Sequence, residues 1–253
     1  MELKIMSQSF AVISDIHSNS MALEAVLQDI SRRGIKVIVN LGDSLFGPID
    51  PLGTAKLLMS NPNIVHVMGN CDQLLQQENI DSPSYRFVKN LIGPEIEHWI
   101  GTFKRTWTFE DLLFCHGTPY SNERYLLEEV DEAGVRYKTP DQLIAELQEI
   151  PQNYIFCGHS HVFQMIYLPD GKTIVNSGSV GLPAYYEETP YPHAMESRSP
   201  YASYVIAHKA ADNHWRIEHI MLPYDWDKAS TIARQNRRED YAYPIQTGRA
   251  LLP

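Results

Sequence analysis

Eight polar side chains of types that bind metal ions follow short apolar segments between residues 15 and 161. They are Asp15, His17, Asp43, Asn70, Asp72, His116, His159 and His161. Imidazole, carboxylate and amide groups suit Mn²⁺, Zn²⁺ and Fe ions, and no thiolate is required. Residues i and i+2 of an extended stretch point the same way, so Asp-x-His and His-x-His can each direct two ligands into one pocket. All of these except Asp72 make seven ligands, more than one open metal site needs, whereas two ions sharing a bridging carboxylate would use them all.

The apolar segments that precede these residues are typical of buried strands. They cover residues 9–14, 35–40, 64–68, 112–115 and 154–157. A helix is predicted after the first strand, with Ser18, Asn19 or Ser20 as its N-cap and Gly34 as its end, and a second helix over 51–59. Alternating strands and helices predict a parallel sheet, whose strands end at one edge and form a binding crevice there.

The remaining segments predict a second set of elements and a sheet that is partly antiparallel. Residues 84–101 and 121–150 are predicted to be helical in pieces, 103–115 to form a hairpin, and 227–238 to form a final helix. Further strands are predicted over 162–168, 173–175, 204–208 and 215–221. Residues 182–200 contain four prolines without clean periodicity and predict a long surface loop.

Each motif, taken alone, has an ordinary structural explanation. Gly-Asp and Gly-Asn-x-Asp are most often turns or helix caps, and His116-Gly117 is most often an ordinary loop. A single Asp-x-His triplet also arises readily by chance. The prediction of a metal site therefore depends on all five motifs occurring in order, each at the end of a strand.

That ordered set resembles the calcineurin-like metallophosphoesterase family over residues 10–206. The motifs are Asp-x-His, Gly-Asp, Gly-Asn-x-Asp, a lone His before Gly, and Gly-His-x-His. Gly47-Pro48 and residues 116–119 and 176–181 are similar to the family's small prokaryotic phosphodiesterase branch. The resemblance implies an α/β fold, a four-layer α/β/β/α sandwich with two mixed sheets.

The resemblance also implies the role of each ligand. Asp15, His17 and His161 would hold one divalent ion, Asn70, His116 and His159 the other, and Asp43 would bridge them. Asp43, Asn70 and His116 are the implied catalytic residues. The matching chemistry is two-metal hydrolysis, in which a hydroxide between two ions attacks a phosphoryl group. The ligand types leave Mn, Fe, Zn, Co and Ni open as the metal.

The sequence departs from the family pattern at two positions. Many members carry His after the Asn, where it stabilises the leaving oxygen, but Cys71 stands here beside Asp72. A thiol is a poor substitute for that acid, so we predict a preference for good leaving groups. Ser18 stands where close relatives usually have Gly, and we expect little effect from it.

Composition and charge restrict the cell compartment and the partners. The 253 residues carry 31 acidic and 21 basic side chains, a net charge of −10, which disfavours long nucleic acid as a partner. A small phosphorylated substrate remains compatible, because two bound cations would reverse the local field. Three widely spaced cysteines, no membrane-length apolar run and no signal-like stretch in the first ten residues predict a cytoplasmic protein. The sequence does not indicate an oligomeric state.

We expect one domain over residues 1–253, with the loop 182–200 near the substrate and a C-terminal helical tail over 225–253. Tyr185, His193 and Arg198 lie on that loop and are candidates to stack on a base or hold a phosphate. The leading hypothesis is a phosphoesterase acting on small phosphodiesters or nucleotide-type pyrophosphates, diadenosine polyphosphates among them. The alternatives are a phosphomonoesterase or protein phosphatase using the same site, and a non-catalytic binding module.

Overall fold

A computed structural model describes residues 8–253 of the chain. The prediction that the first ten residues carry no signal peptide falls mostly on residues 1–7, which lie outside the described part. The strands are β1 (Ser9–Ile13), β2 (Val37–Asn40), β3 (Ile64–His66), β4 (Thr106–Phe109), β5 (Leu112–Cys115), β6 (Glu128–Asp131), β7 (Gly134–Tyr137), β8 (Tyr154–Cys157), β9 (Gln164–Tyr167), β10 (Thr173–Asn176), β11 (Ala184–Glu187), β12 (His193–Glu196), β13 (Ala202–Lys209) and β14 (Trp215–Leu222). The helices are α1 (Ser20–Arg32), α2 (Pro51–Met59), α3 (Asn70–Leu74), α4 (Pro83–Lys89), α5 (Pro94–Ile100), α6 (Pro140–Leu147), α7 (Trp226–Gln235) and α8 (Glu239–Thr247).

Two five-stranded mixed sheets make the centre of the fold. The first has the order β14-β13-β1-β2-β3, with β1, β2 and β3 parallel and β13 antiparallel to β1. The second has the order β4-β5-β8-β10-β9, with β5, β8 and β10 parallel and both edge strands antiparallel. Each sheet thus has three adjacent parallel strands, at one side of the first sheet and in the centre of the second, and these strands end at a common edge.

The sheets pack face to face between two outer layers of helices. Ile13 lies on the face of β1 that packs against α1, whereas Val12 on the opposite face lies in one apolar cluster with Phe114 and Phe156 of the second sheet. The Phe114 and Phe156 rings stack with centroids 5.0 Å apart. On the far face of the second sheet, Ile155 packs with the apolar side chains of α6. Alternate residues of each strand therefore serve two cores, and the predicted α/β/β/α sandwich is confirmed.

The helical prediction for residues 121–150 is wrong over its first half. Strands β6 and β7 form a small hairpin there, and only α6 is helical. Its turn is made by Asp131, whose side chain accepts a hydrogen bond from the backbone N–H of Ala133, and by Gly134 in the left-handed region at φ 108°. Both strands are four residues long, β6 is half-buried with three acidic residues, and β7 is mostly exposed, so neither carries an apolar alternation that could be recognised in the sequence.

The predicted surface loop over residues 182–200 is also wrong, because most of it is a second hairpin. Strands β11 and β12 pair antiparallel, with Tyr185 opposite Met195. The four prolines that suggested a loop all lie outside the strands, at positions 183, 190, 192 and 200. Proline cannot donate to a sheet ladder, so its placement before, between and after the strands is compatible with pairing.

The C-terminal segment over residues 225–253 contains two helices. The predicted helix over 227–238 corresponds to α7, and α8 follows it directly. Pro244 lies inside α8 and interrupts the sequence pattern, while Gly248 ends the helix in the left-handed region. None of the helices in residues 8–253 has the length and apolar character needed to cross a membrane.

Candidate metal centre

The strand ends of both sheets bring the seven candidate ligands together. Asp15 and His17 follow β1, Asp43 follows β2, Asn70 follows β3, His116 follows β5, and His159 and His161 follow β8. Three groups of side chains have ligand atoms within 4.8 Å of one another. The groups are Asp15, His17 and His161; Asp43, His116 and His159; and His17, Asp43 and Cys71. The parallel strand arrangement therefore positions residues that are far apart in sequence.

An uncommon backbone conformation is shared by five of the seven candidate ligands. Asp15, His17, Asp43, His159 and His161 all have positive φ, between 46° and 69°. Non-glycine residues adopt this region infrequently, and such residues concentrate at functional sites. The loops after β1, β2 and β8 therefore turn sharply where they present these side chains.

The imidazoles of His17 and His161 face each other, with their Nε2 atoms 3.2 Å apart. The Nδ1 atom of His17 donates to the carbonyl of Phe46 at 2.8 Å, and that of His161 to the carbonyl of Leu182 at 2.5 Å. In the neutral rings both Nε2 atoms then carry lone pairs. The buried Oδ1 of Asp15, 3.3 Å from His161 Nε2, accepts no hydrogen bond. A positive centre shared by these three atoms would remove their mutual repulsion.

A second set of donor atoms surrounds His116 in a similar way. Its Nδ1 donates to the carbonyl of Leu41 at 3.0 Å, so its Nε2 points at Asn70 Oδ1, 2.9 Å away. The carboxylate of Asp43 lies between the two sets, because its Oδ2 is 3.7 Å from His17 Nε2 and 3.5 Å from His116 Nε2. The first set is Asp15, His17 and His161, and the second is Asn70, His116 and His159. Each set fits one cation, and Asp43 is the group that faces both.

Asp72 is buried and fixes the loop that carries Asp43. Its carboxylate accepts backbone hydrogen bonds from Asp43 at 2.8 Å, Ser44 at 2.9 Å and Gly69 at 3.2 Å. Gly42 has a φ of 117°, and a Cβ there would overlap the backbone of Gly69. The glycines of Gly-Asp and Gly-Asn-x-Asp therefore allow two loops to touch, and Asp72 acts on Asp43 rather than as a ligand.

Burial and charge interactions among the candidate ligands shift their pKa values. Burial disfavours the Asp15 carboxylate, but His161 and His116 outweigh this and lower its pKa to about 2. Burial lowers the pKa of His17, and burial together with the charge of His116 lowers that of His159 to about 3. Both rings are thus neutral at physiological pH, the form that binds metal ions.

His116 and Asp72 differ from the other members of the cluster. Burial alone would lower the pKa of His116, but the adjacent Asp43 carboxylate raises it to about 9. Burial and the charge of Asp43 raise the pKa of Asp72 to about 7. A cation bound beside Asp43 would have to displace the proton of His116, so metal binding at neutral pH is expected to release a proton.

A cavity of about 470 Å³ opens from these side chains. Tyr185, one of the three candidate substrate contacts, lines it, and its hydroxyl donates to the carbonyl of His159 at 3.1 Å. His193 is buried behind the wall, where its Nε2 lies 3.0 Å from the Tyr125 hydroxyl. Arg198 follows β12 on the outside, with a side chain 75% exposed, and does not line the cavity.

Several lining residues carry no motif and were not predicted from the sequence. They are Tyr125, Glu187, Arg238 and Tyr241. They come from the loop before β6, from β11, and from the segment that begins α8. The packing of α8, the β11–β12 hairpin and the loop before β6 near the strand ends brings them to the site, so no local signal could have found them.

Cys71 also lines the cavity, with its backbone N–H donating to Asp43 Oδ1 at 2.8 Å. Burial and the charge of Asp43 raise the pKa of its thiol well above the ordinary value. A thiol is a weak hydrogen-bond donor, and only the thiolate is a good metal ligand. The geometry therefore favours a neutral Cys71 beside the two ligand sets.

Comparison with known proteins identifies relatives that match nearly the whole length of the chain. An uncharacterised protein of Methanocaldococcus jannaschii is 31% identical, over 91% of this chain and 94% of its own length. The crystal structure of a metallophosphoesterase from Sphaerobacter thermophilus matches with a TM-score of 0.73 and 22% identity, covering 96% of this chain and 99% of that one. A hypothetical protein from Pyrococcus horikoshii matches with a TM-score of 0.69 and 16% identity, covering 95% and 98%.

The sequence model of the calcineurin-like phosphoesterase superfamily domain matches residues 9–195. This range contains all seven candidate ligands and all of the second sheet. The fold of the two solved structures agrees with this assignment. The chain belongs to the calcineurin-like metallophosphoesterase family, whose members are metal-dependent phosphoesterases.

Proposed function

We propose that this chain is a phosphodiesterase that uses two divalent ions at the strand ends. The observation that carries the proposal is the position of Asp43, whose Oδ2 faces both His17 and His116. Asp15, His17 and His161 would hold one ion, and Asn70, His116 and His159 the other. Two ions sharing one carboxylate use every donor of the cluster, whereas a single ion would leave buried imidazoles facing one another.

Two such ions supply a nucleophile at neutral pH and neutralise charge on the phosphoryl oxygens. The chain's own groups orient the side chains that would hold the ions. The carbonyls of Phe46, Leu41 and Leu182 fix the tautomers of His17, His116 and His161, respectively. Asp72 holds the Asp43 loop through three backbone N–H groups. Hydrolysis adds one water across a P–O bond, so an alcohol or a second phosphate leaves.

The cavity supports a small organic phosphate as the substrate. Its volume, about 470 Å³, lies within the range of small-molecule sites. Tyr125, Tyr185, Tyr186 and Tyr241 contribute aromatic surface to its wall, which suits a nucleobase or another planar group. We therefore propose small phosphodiesters and nucleotide-type pyrophosphates as the substrate class.

The direct test compares bis(4-nitrophenyl) phosphate with 4-nitrophenyl phosphate after chelator treatment and addition of Mn²⁺. We expect faster turnover of the diester and loss of at least about a hundredfold in Asp43→Ala, since the bridging ligand is removed. Asp141→Ala is the matched control, because Asp141 is exposed at the start of α6 and does not line the cavity.

The outcomes separate the candidate functions. Faster turnover of the monoester in the same assay would support a phosphatase using this site and contradict the diesterase proposal. Absence of turnover on either substrate, with Mn²⁺, Zn²⁺, Co²⁺, Ni²⁺ or Fe²⁺ added, would favour a binding role for the fold instead.

A further inference from the structure

Arg238 is the one lysine or arginine that lines the cavity among residues 8–253. It lies immediately before α8, the helix that packs beside β11 of the β11–β12 hairpin. The other charged wall residues away from the metal ligands are Glu123, Glu187 and Asp240. A substrate with more than one phosphate would therefore contact a wall that is acidic except for the guanidinium of Arg238.

The guanidinium of Arg238 is held in a fixed position. It lies over the ring of Tyr241, with Cζ 4.6 Å from the ring centroid. One terminal nitrogen donates to Ser84 Oγ at 2.7 Å, and Nε and the other terminal nitrogen donate to the carboxylate of Asp240 at 2.8 and 2.6 Å. The side chain is 15% exposed, so most of its rotamer freedom is already lost.

Tyr241 connects Arg238 to the metal centre. Its ring packs edge-on against His17 with centroids 6.3 Å apart, and its hydroxyl donates to the carbonyl of Phe46 at 3.3 Å. The same Phe46 carbonyl accepts from His17 Nδ1. One aromatic ring thus separates the cation from the nearest candidate ligand, a spacing that a short phosphate chain spans.

The remaining hydrogen-bond donors of Arg238 suit a phosphate. A guanidinium has five N–H groups, and the bonds to Ser84 and Asp240 use three of them. Among the described residues, one hydrogen on each terminal nitrogen has no partner. A planar pair of N–H donors matches two oxygens of a phosphate, and arginine recurs in sites of this kind.

We propose that Arg238 binds a phosphate of the substrate that is not the one being cleaved. The preferred substrates are then phosphoanhydrides with a phosphate chain longer than the scissile linkage, a class that includes dinucleoside polyphosphates. This inference depends on the proposed function and adds a specificity-determining residue to it. Residue 238 lies outside residues 9–195 matched by the family model, so family membership does not assign it.

The test compares two substrates with the same bases, diadenosine diphosphate and diadenosine tetraphosphate, together with bis(4-nitrophenyl) phosphate. In Arg238→Gln the ratio of kcat/KM for the tetraphosphate to that for bis(4-nitrophenyl) phosphate should fall by about 10- to 100-fold, the range of a charged hydrogen bond. The loss should appear mainly as a higher KM. Arg238→Lys should keep part of the selectivity, because lysine retains the positive charge but lacks the planar pair of N–H donors.

Asp240→Asn gives a prediction of opposite sign that a damaged fold cannot produce. Removing the competing carboxylate should lower KM for the tetraphosphate and increase its selectivity over diadenosine diphosphate. An unchanged ratio of kcat/KM for the tetraphosphate to that for bis(4-nitrophenyl) phosphate in folded Arg238→Gln would overturn the inference, as would a fall in selectivity in Asp240→Asn. In either case, turnover of bis(4-nitrophenyl) phosphate by the wild type would leave the proposed function standing. If the wild type turns over none of the substrates, the proposed function fails and the inference fails with it.

Discussion

At the scale of single residues, three of the candidate histidine ligands each donate a hydrogen bond to a backbone carbonyl. His17 donates to Phe46, His116 to Leu41 and His161 to Leu182. Such contacts fix the tautomer and the ring orientation, and they raise the basicity of the free nitrogen. The carbonyls come from segments far from the histidines in sequence, so the motifs alone could not show them.

Cys71 provides a prediction about leaving groups. Its thiol is neutral and a weak donor, so it gives little help to a poorly leaving oxygen. We expect kcat to fall by at least about tenfold from 4-nitrophenyl to phenyl esters of one nucleotide. Cys71→His should flatten this dependence, and Cys71→Ser should keep it. Similar wild-type rates on both esters would show that another group protonates the leaving oxygen.

His66 provides a prediction about pH and stability. It stacks on Phe103 with centroids 4.7 Å apart, and burial lowers its pKa to about 4. The unfolded chain binds a proton at this imidazole more readily than the folded chain does. The contribution of His66 to stability is therefore fully present above the ordinary pKa of 6.5 and is lost as the pH falls towards 4.

The measurement is the free energy of unfolding in urea at pH 7 and pH 4.5, for the wild type and His66→Phe. The wild type should lose about 2 kcal/mol more than the variant over this interval, from a shift worth about 1.4 kcal/mol per pKa unit. Parallel losses in the two proteins would mean that His66 does not contribute to acid sensitivity.

At the scale of elements, the start of α1 joins three parts of the fold through Asn19. Its side chain is buried, accepts from the Ala22 N–H at 3.2 Å, and donates to the Gly181 carbonyl at 2.9 Å and the Tyr224 hydroxyl at 3.1 Å. Asn19→Ala removes a helix cap and leaves a buried carbonyl unpaired. We expect a loss of about 3 kcal/mol in the free energy of unfolding.

Asp225→Ala is the comparison for that variant, because Asp225 is exposed and caps α7 with a single hydrogen bond to the Lys228 N–H. Its loss should be about 1 kcal/mol. Denaturant titration of both variants measures the difference. Equal losses would mean that the bonds from Asn19 to Gly181 and Tyr224 contribute nothing.

The elements that sequence reasoning identified are those with a buried apolar face. The strands β1, β2, β5 and β8 and the helix α1 have such faces and were predicted, whereas the hairpins β6–β7 and β11–β12 were not. The strands of these hairpins are four residues long and mix charged with apolar or aromatic side chains, so they have no apolar period to detect. Their pairing is decided by turns and by contacts with the rest of the fold.

At the scale of the whole molecule, the packing of the C-terminal helices against the strand ends completes the site. The motifs predicted seven candidate ligands at one place because parallel strands share an edge, and that part needs only local sequence. The wall of the cavity is different. Arg238 and Tyr241 reach it because α8 packs beside β11, which no short pattern encodes.

The most direct test of the two-ion proposal is the metal stoichiometry of the chelator-treated protein, measured by calorimetric titration with Mn²⁺ and by elemental analysis. We predict two ions per chain in the wild type, one in His161→Ala and one in His116→Ala, and loss of tight binding in Asp43→Ala. Binding at pH 7 should release protons, because the pKa of His116 is raised to about 9 before an ion binds. One ion per wild-type chain at saturation, or two ions retained in Asp43→Ala, would contradict a pair of ions bridged by Asp43.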